Sequence, residues 1–200
     1  AGSMGPTGEI MAPIGPLSFD DAKAAFAEQA RALAAGGVDV LWIEILSSAE
    51  EVQAAVAGAA TVGLPIVCTL SFDTNGRTMM GISPSDFAAL EKSLVPRLAA
   101  CGTNCGVGAS EVVACIHNLA AAAGPDVVLV AKGNCGIPQY VDGAIQYNGT
   151  PELMAVYARM ALDAGARIIG GCCGTTPEHI KLIAEVAAEF KPRTILETIE

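Results

Sequence analysis

Short apolar runs alternate along the chain with longer stretches in which small apolar residues recur at helical spacing. The runs are Val38 to Glu44, Pro65 to Leu70, the segment ending at Cys105, Asp126 to Ala131, and Ala166 to Ile169 continuing to Cys172. Each is too short for a helix and almost continuously apolar, the pattern of a strand covered on both faces. The stretches between them open on helix-start signals: Ser18-Phe19-Asp20-Asp21, Ser48 to Glu51, Ser83-Pro84-Ser85-Asp86, Thr150-Pro151-Glu152 and Thr176-Pro177-Glu178. A hydroxyl at the cap accepts a free backbone N–H, Pro fits the first helical position, and acidic residues suit the positive end of the helix dipole. Glycines at Gly36-Gly37, Gly63, Gly124 and Gly165 supply the stops. A further helix runs from near Ser110 through Ala122, and Pro96 predicts a kink in the helix begun at Ser83.

This is βα repetition, which predicts a parallel sheet covered by helices. Residues 1–17 read as a Gly/Pro-rich loop following a strand end, and a loop carrying Pro138, Tyr140 and Tyr147 follows the Asp126–Ala131 run. The last helix reaches about Phe190, and Pro192 to Glu200 is weakly specified. Five full βα units follow the loop and helix of a sixth. An eight-unit barrel occupies about 250 residues, whereas this chain has 200. The expectation is therefore an α/β chain forming one domain over residues 1–200: a (β/α)8 barrel with about six of its eight units present and its amino-terminal units missing. The alternative is an open doubly wound sheet complete at this length.

Composition narrows the classes. With 52% apolar and 16% charged residues the chain has material for a large core. A net charge of −10 argues against nucleic acid and against anionic membrane surfaces as partners. No run is long enough to span a membrane, and the opening Ala1-Gly2-Ser3-Met4-Gly5-Pro6 lacks the basic and apolar blocks of a signal peptide. Seven cysteines, an odd number with two adjacent, do not form a secreted disulfide pattern and point to a reducing cytoplasm. No G-x-G-x-x-G is present, so a dinucleotide reading is rejected.

The candidate chemistry lies in Gly170-Gly171-Cys172-Cys173-Gly174-Thr175-Thr176-Pro177, a strand end leading into a helix, and in Thr103-Asn104-Cys105-Gly106-Val107-Gly108. Chemistry collects at carboxyl ends of strands in both barrels and open sheets. Three thiolates meeting there suit zinc with one coordination position open, the arrangement of a catalytic site. Adjacent residues of a strand face opposite ways, so the backbone must bend for both sulfurs to reach one ion, and the flanking glycines permit it. The competing reading is that these are small buried hydrophobes, as expected for Cys68, Cys101 and Cys115. Cys135 ends another strand and is read as a core or rim thiol that can also line the mouth. A barrel enzyme using one cysteine as a covalent nucleophile without metal is a weaker option.

The two cysteine motifs together resemble the zinc-dependent homocysteine S-methyltransferase family, which includes betaine–homocysteine methyltransferase and the homocysteine module of cobalamin-dependent methionine synthase. Gly2 to Gly8 is similar to the family's third strand end, Val38 to Glu44 to its fourth, and Ser71-Phe72-Asp73 with Gly76-Arg77-Thr78 to its fifth. The resemblance covers essentially the whole chain. It implies a (β/α)8 barrel with Zn2+ on Cys105, Cys172 and Cys173, and homocysteine plus a small methyl donor as partners. Glu44 falls on the carboxylate that holds the homocysteine ammonium; its ordinary role would be a strand-end cap. Asn104 is placed beside a ligand, where it either orients Cys105, touches substrate or shapes the loop. The implied reaction moves a methyl group from a small onium donor, betaine by preference, to the homocysteine thiolate to give methionine. Dimethylsulfonio compounds and S-methylmethionine are other donors of that class. The other reading is a zinc-binding fragment that depends on a partner, and a homo-oligomer is compatible with either. His179 is expected to point away from the cysteine pair, and His117 to lie on a helix surface or in packing. Asp73 and Arg77 either face the mouth or form a turn salt bridge. Trp42, Tyr140 and Tyr147 either wall a quaternary ammonium donor or pack locally.

Overall fold

Six strands pair in parallel and follow one another across the sheet in the order in which they occur in the chain. The computed structural model describes residues 1–191; the Pro192–Glu200 tail lies outside them. The strands of this sheet are β1 (Gly2–Met4), β2 (Leu41–Leu46), β3 (Ile66–Leu70), β4 (Ala100–Cys105), β5 (Leu129–Gly133) and, after a hairpin of β6 (Pro138–Val141) and β7 (Ala144–Tyr147), β8 (Ala166–Gly171). Between and after them run α1 (Phe19–Ala35), α2 (Ala49–Ala59), α3 (Pro84–Ser93), α4 (Ala109–Ala123), α5 (Pro151–Asp163) and α6 (Pro177–Glu189). The sheet order is β1-β2-β3-β4-β5-β8, with every neighbouring pair parallel. A doubly wound sheet reverses its strand order at a switch point. Among the described residues no reversal occurs, so that alternative is set aside for six βα units of a barrel. Among the described residues no helix is long and apolar enough to cross a membrane.

The two faces of the sheet do different work. The main core lies between the sheet and its helices, with Met4, Leu41, Ile43, Cys68, Leu70, Cys101, Leu129 and Ala131 packed on Phe26, Val52, Phe87, Ile116, Met154 and Tyr157. Cys68, Cys101 and Cys115 are packing residues of this core, as expected, and burial pushes the Cys101 and Cys115 thiols up to about 12. On the concave face, Val67, Ala100 and Val130 form a small cluster with Val40, Trp42 and Ile168. Glu44 on β2 and Lys132 on β5 form an ion pair across this face although two strands lie between them. Strands stand about 4.8 Å apart, so the two side chains meet only because the sheet curls as a barrel wall does.

Three local expectations are corrected. The helix begun at Ser83 ends at Ser93, so Pro96 follows the helix and kinks nothing; the chain leaves it at Leu94 with ψ 144°. β2 and β5 each start three residues later than the apolar pattern suggests, at Leu41 and Leu129. The loop after β5 contains the β6–β7 hairpin, turning at Asp142 (φ 51°) and Gly143 (φ 82°). That dipeptide is a two-residue hairpin signal; β6 is exposed throughout and so shows no buried alternation. Four of the five caps behave as read. Ser18, Ser48, Ser83 and Thr150 each accept the backbone N–H three residues on.

Candidate metal centre

The three cysteines reach one point by bending the ends of their strands. By alternation Cys172 faces the concave side, but Cys105 belongs with Cys101 and Thr103 on the helix side. Cys105 sits at φ 57° and Gly106 at φ 78°, which turns the end of β4 inward. β8 stops at Gly171, and Cys172-Cys173-Gly174 form a turn with Gly174 at φ 77°. A side chain at Gly174 would strike the Tyr147 ring, with a Cβ only 2.4 Å from its Cγ, so both conformation and space require glycine there.

The sulfurs converge. Cys105 Sγ lies 2.9 Å from Cys172 Sγ and 4.0 Å from Cys173 Sγ, and the latter two are 4.0 Å apart. Sulfurs each about 2.3 Å from one tetrahedral zinc stand about 3.8 Å from each other. Two edges of the triangle already match. The third is a hydrogen bond between Cys105 and Cys172 that coordination would replace. The donor set therefore fits a soft or borderline cation, and these three residues are the group that can hold a metal ion among the described residues. The hydrogen bond from Cys105, outweighing burial and aided by the Lys132 charge, lowers the Cys172 pKa to about 6. The same bond raises that of Cys105.

Side chains that the spacing did not single out hold these loops. Asn134 Nδ2 donates to the Gly106 carbonyl at 2.9 Å, and its Oδ1 accepts the Cys173 N–H at 3.0 Å, so one buried amide ties both cysteine turns. The Cys172 N–H donates to Gly133 O at 2.8 Å and the Cys135 N–H to Cys173 O at 2.9 Å. Cys135 is therefore a buried rim thiol that braces the turn. Its Sγ donates to Gly149 O at 2.9 Å and lies 2.9 Å from His179 Nε2. His179 is buried behind the turn and outside the cysteine cluster, as expected. Its Nδ1 accepts the Thr176 N–H, which leaves the ring proton on Nε2, facing Cys135 and Gly149. The signal for this brace was present as a histidine at the third helical position, where capping-box acceptors sit.

The remaining candidates divide by location. Glu44 faces the concave mouth; Ser3 Oγ donates to it at 2.5 Å and Lys132 pairs with it. Burial works against its charge, but these two hydrogen bonds win and hold its pKa below the ordinary 4.5. Asn104 is fully buried, accepting the Ile45 N–H at 3.1 Å and donating to Ser71 Oγ at 3.3 Å. It joins the ends of β2, β3 and β4 beside Cys105. Trp42 lies on the concave face, its Nε1 donating to Thr69 Oγ1 at 3.3 Å. Tyr147 covers Gly174 next to Cys173, whereas Tyr140 is 78% exposed on the hairpin. Arg77 stays in its own loop, donating to Gly81 O and lying 3.6 Å from Asp86; Asp73 accepts from Thr74. His117 is exposed on α4.

Residues 1–187 match the family model described as homocysteine S-methyltransferase. The chain belongs to the homocysteine S-methyltransferase family. Among solved structures it is similar to the homocysteine methyltransferase MmuM from Escherichia coli. The apo form is 25% identical with a TM-score of 0.73, over 92% of this chain and 61% of that one. The metallated form is 25% identical with a TM-score of 0.64, over 88% and 53%. A methyltransferase from Methanosarcina mazei shares the fold at 18% identity and a TM-score of 0.53, over 85% and 48%. The chain thus spans about three fifths or less of the length of these structures. Among its homocysteine S-methyltransferase features, the three-cysteine cluster is one that can hold metal in this chain, and a metallated MmuM exists.

Proposed function

We propose that this chain, read as one partial barrel domain, is the zinc- and homocysteine-binding part of an enzyme that methylates homocysteine to methionine. The observation that carries the reading is the meeting of sulfurs from two strand ends, all within 4.8 Å of one another. Bound there, zinc would supply a Lewis acid that keeps a fourth sulfur, that of homocysteine, deprotonated at neutral pH. Cys105, Cys172 and Cys173 fix where that sulfur sits, and Asn134 fixes the cysteines. Glu44 pairs with the homocysteine ammonium, and Asn104 holds the strand ends between Glu44 and Cys105. The thiolate sulfur attacks the methyl carbon of the onium donor in line. The new S–C bond forms as the methyl–nitrogen bond of betaine breaks, and the amine leaves with that electron pair. Betaine is the preferred donor, with Trp42 and Tyr147 available as aromatic faces for its cation; sulfonium donors are the alternatives.

The test is zinc content and methionine formation by the purified chain with homocysteine and each donor in turn. One zinc per chain, lost in the Cys172→Ala and Cys173→Ala variants, is the expected result; undiminished zinc in both variants refutes the site. A second reading is favoured by β1 and β8, which have one sheet neighbour each among the described residues. In it the chain binds zinc but turns over only with further strands supplied. Zinc binding without methionine formation, restored by adding those strands, selects it.

A further inference from the structure

The carboxylate proposed to bind an ammonium is already paired with a cation. Lys132 Nζ contacts Glu44 Oε2, while Ser3 Oγ holds Oε1 at 2.5 Å. Both side chains are largely sheltered, at 23% and 14% exposure. The Lys132 ammonium also lies 5.4 Å from the centre of the Trp42 ring, whose own N–H is fixed on Thr69. Lys132 crosses the concave face past Gly170, where an added Cβ would stand 3.7 Å from its Cγ. The pair borders an open hollow of about 200 Å³ lined by Ala1, Ser3, Trp42, Glu44 and Lys132.

A lone Glu44 would favour any thiol carrying an ammonium. A neutralised Glu44 does not, because a cation arriving there meets a site of zero net charge. Capacity remains on both partners, however. A lysine ammonium has three donors and a carboxylate about four acceptor positions. One donor and two acceptor positions are used. A ligand bringing a carboxylate to Lys132 and an ammonium to Glu44 would complete a square of alternating charges. A ligand bringing only one of them leaves a sheltered partner unmatched, and such sites discriminate strongly. The span is suitable. Lys132 is in register with Gly170, and Cys172 lies two residues further on, about 7 Å along a strand, comparable to an extended amino-acid thiol.

We propose that Lys132 is a specificity residue that reads the substrate carboxylate, so that with Glu44 it restricts the site to zwitterionic α-amino-acid thiols. This rests on the homocysteine reading above. The test uses the full chain loaded with Co2+, whose thiolate charge-transfer absorption reports an added thiol. Three probes are titrated: homocysteine, 3-aminopropane-1-thiol, which lacks the carboxylate, and 4-sulfanylbutanoate, which lacks the ammonium. In the wild type, homocysteine binds at least about tenfold tighter than either truncated thiol. Lys132→Met weakens homocysteine relative to 3-aminopropane-1-thiol by about ten- to a hundredfold, the aminothiol keeping or gaining affinity at the unpaired Glu44, whereas Lys132→Arg keeps most of the preference. Glu44→Gln/Lys132→Met, which leaves no unmatched charge, loses discrimination among all three and serves if Lys132→Met alone fails to fold. Equal weakening of homocysteine and 3-aminopropane-1-thiol by Lys132→Met, or no weakening, overturns the proposal while leaving the homocysteine reading intact. Cobalt that is bound but perturbed by none of the three thiols overturns both.

Discussion

Asn134 should be the residue whose loss most damages the metal site without removing a ligand. In Asn134→Ala the Cys173 N–H loses its acceptor and the Gly106 carbonyl its donor, bonds now 3.0 and 2.9 Å long. Leaving a buried polar group without a partner costs about 1–3 kcal/mol. Two such groups set an upper limit of about 6 kcal/mol, and water at the partly open rim reduces the loss in fold stability to about 2 kcal/mol. Metal affinity should suffer separately, because the same amide keeps the Cys105 loop and the Cys173 turn at a common spacing. Groups that orient ligands are worth about ten- to a hundredfold in affinity. Competition against a chromophoric zinc chelator measures the second effect, and thermal unfolding of the metal-free chain measures the first. Asn118→Ala, on the exposed face of α4, is the control and should leave both unchanged. If Asn134→Ala binds zinc within about twofold of wild type, the claim that one side chain sets the spacing of the two loops is wrong.

Other outcomes follow from the same geometry. Alanine at Cys105, Cys172 or Cys173 should abolish stoichiometric zinc, whereas alanine at Cys68, Cys101 or Cys115 should keep it and only loosen the core; metal analysis beside thermal unfolding separates the two sets. Tyr157→Phe should destabilise the fold by about 1–3 kcal/mol in denaturant titration, because it strips the acceptor from the buried Gly133 N–H, now 3.0 Å from Tyr157 Oη. Glu44 has a folded-state pKa below its ordinary 4.5. The unfolded chain therefore takes up that proton first, and the Glu44 contribution is present above about pH 4.5 and lost as pH falls through the folded value. Melting temperatures from pH 3 to 7 should accordingly show a shallower acid limb in Glu44→Gln; an unchanged limb would show that the ion pair does not couple to folding.

Much of this was legible in the sequence because the signals are local. Hydroxyl caps at Ser18, Ser48, Ser83 and Thr150 start helices through bonds spanning three residues. The continuous apolar runs at β3 and β5 can be satisfied only by cover on both faces. The cysteine cluster was legible for a further reason, since its two motifs together resemble a known family, and the flanking glycines permit the bend that the cluster needs. What escaped depends on partners distant in sequence. Lys132 meets Glu44 across 88 residues, and Asn134 meets Cys173 across 39. Neither spacing carries a pattern. The strand starts were misplaced at Val38 and Asp126 because apolar loop residues at the amino ends of strands pack on the core as strand residues do. The β6–β7 hairpin was missed because β6 packs nothing on either face.

The irregular backbone of this chain gathers where its chemistry gathers. Ile45, a β-branched residue, sits at φ 69° directly after Glu44, and Cys105 sits at φ 57° directly after Asn104. Such conformations cost about 1–3 kcal/mol each and persist only when neighbours hold them. Here a single residue holds both: Asn104 accepts the Ile45 N–H, and its carbonyl accepts from Ser71 Oγ. The register between β2 and β3 slips at the same point, between Glu44 and Leu46. Regular strands would have left Cys105 facing the helices, as Cys101 does, and Cys172 alone on the concave face. The bends put sulfur from opposite strand faces on one side, the side that Glu44 already faces by regular alternation with Trp42. A folded sheet would tolerate straight ends at lower cost. The strain is therefore best understood as what converts a barrel wall into a binding site, with Asn104 and Asn134 as the clamps that keep it converted.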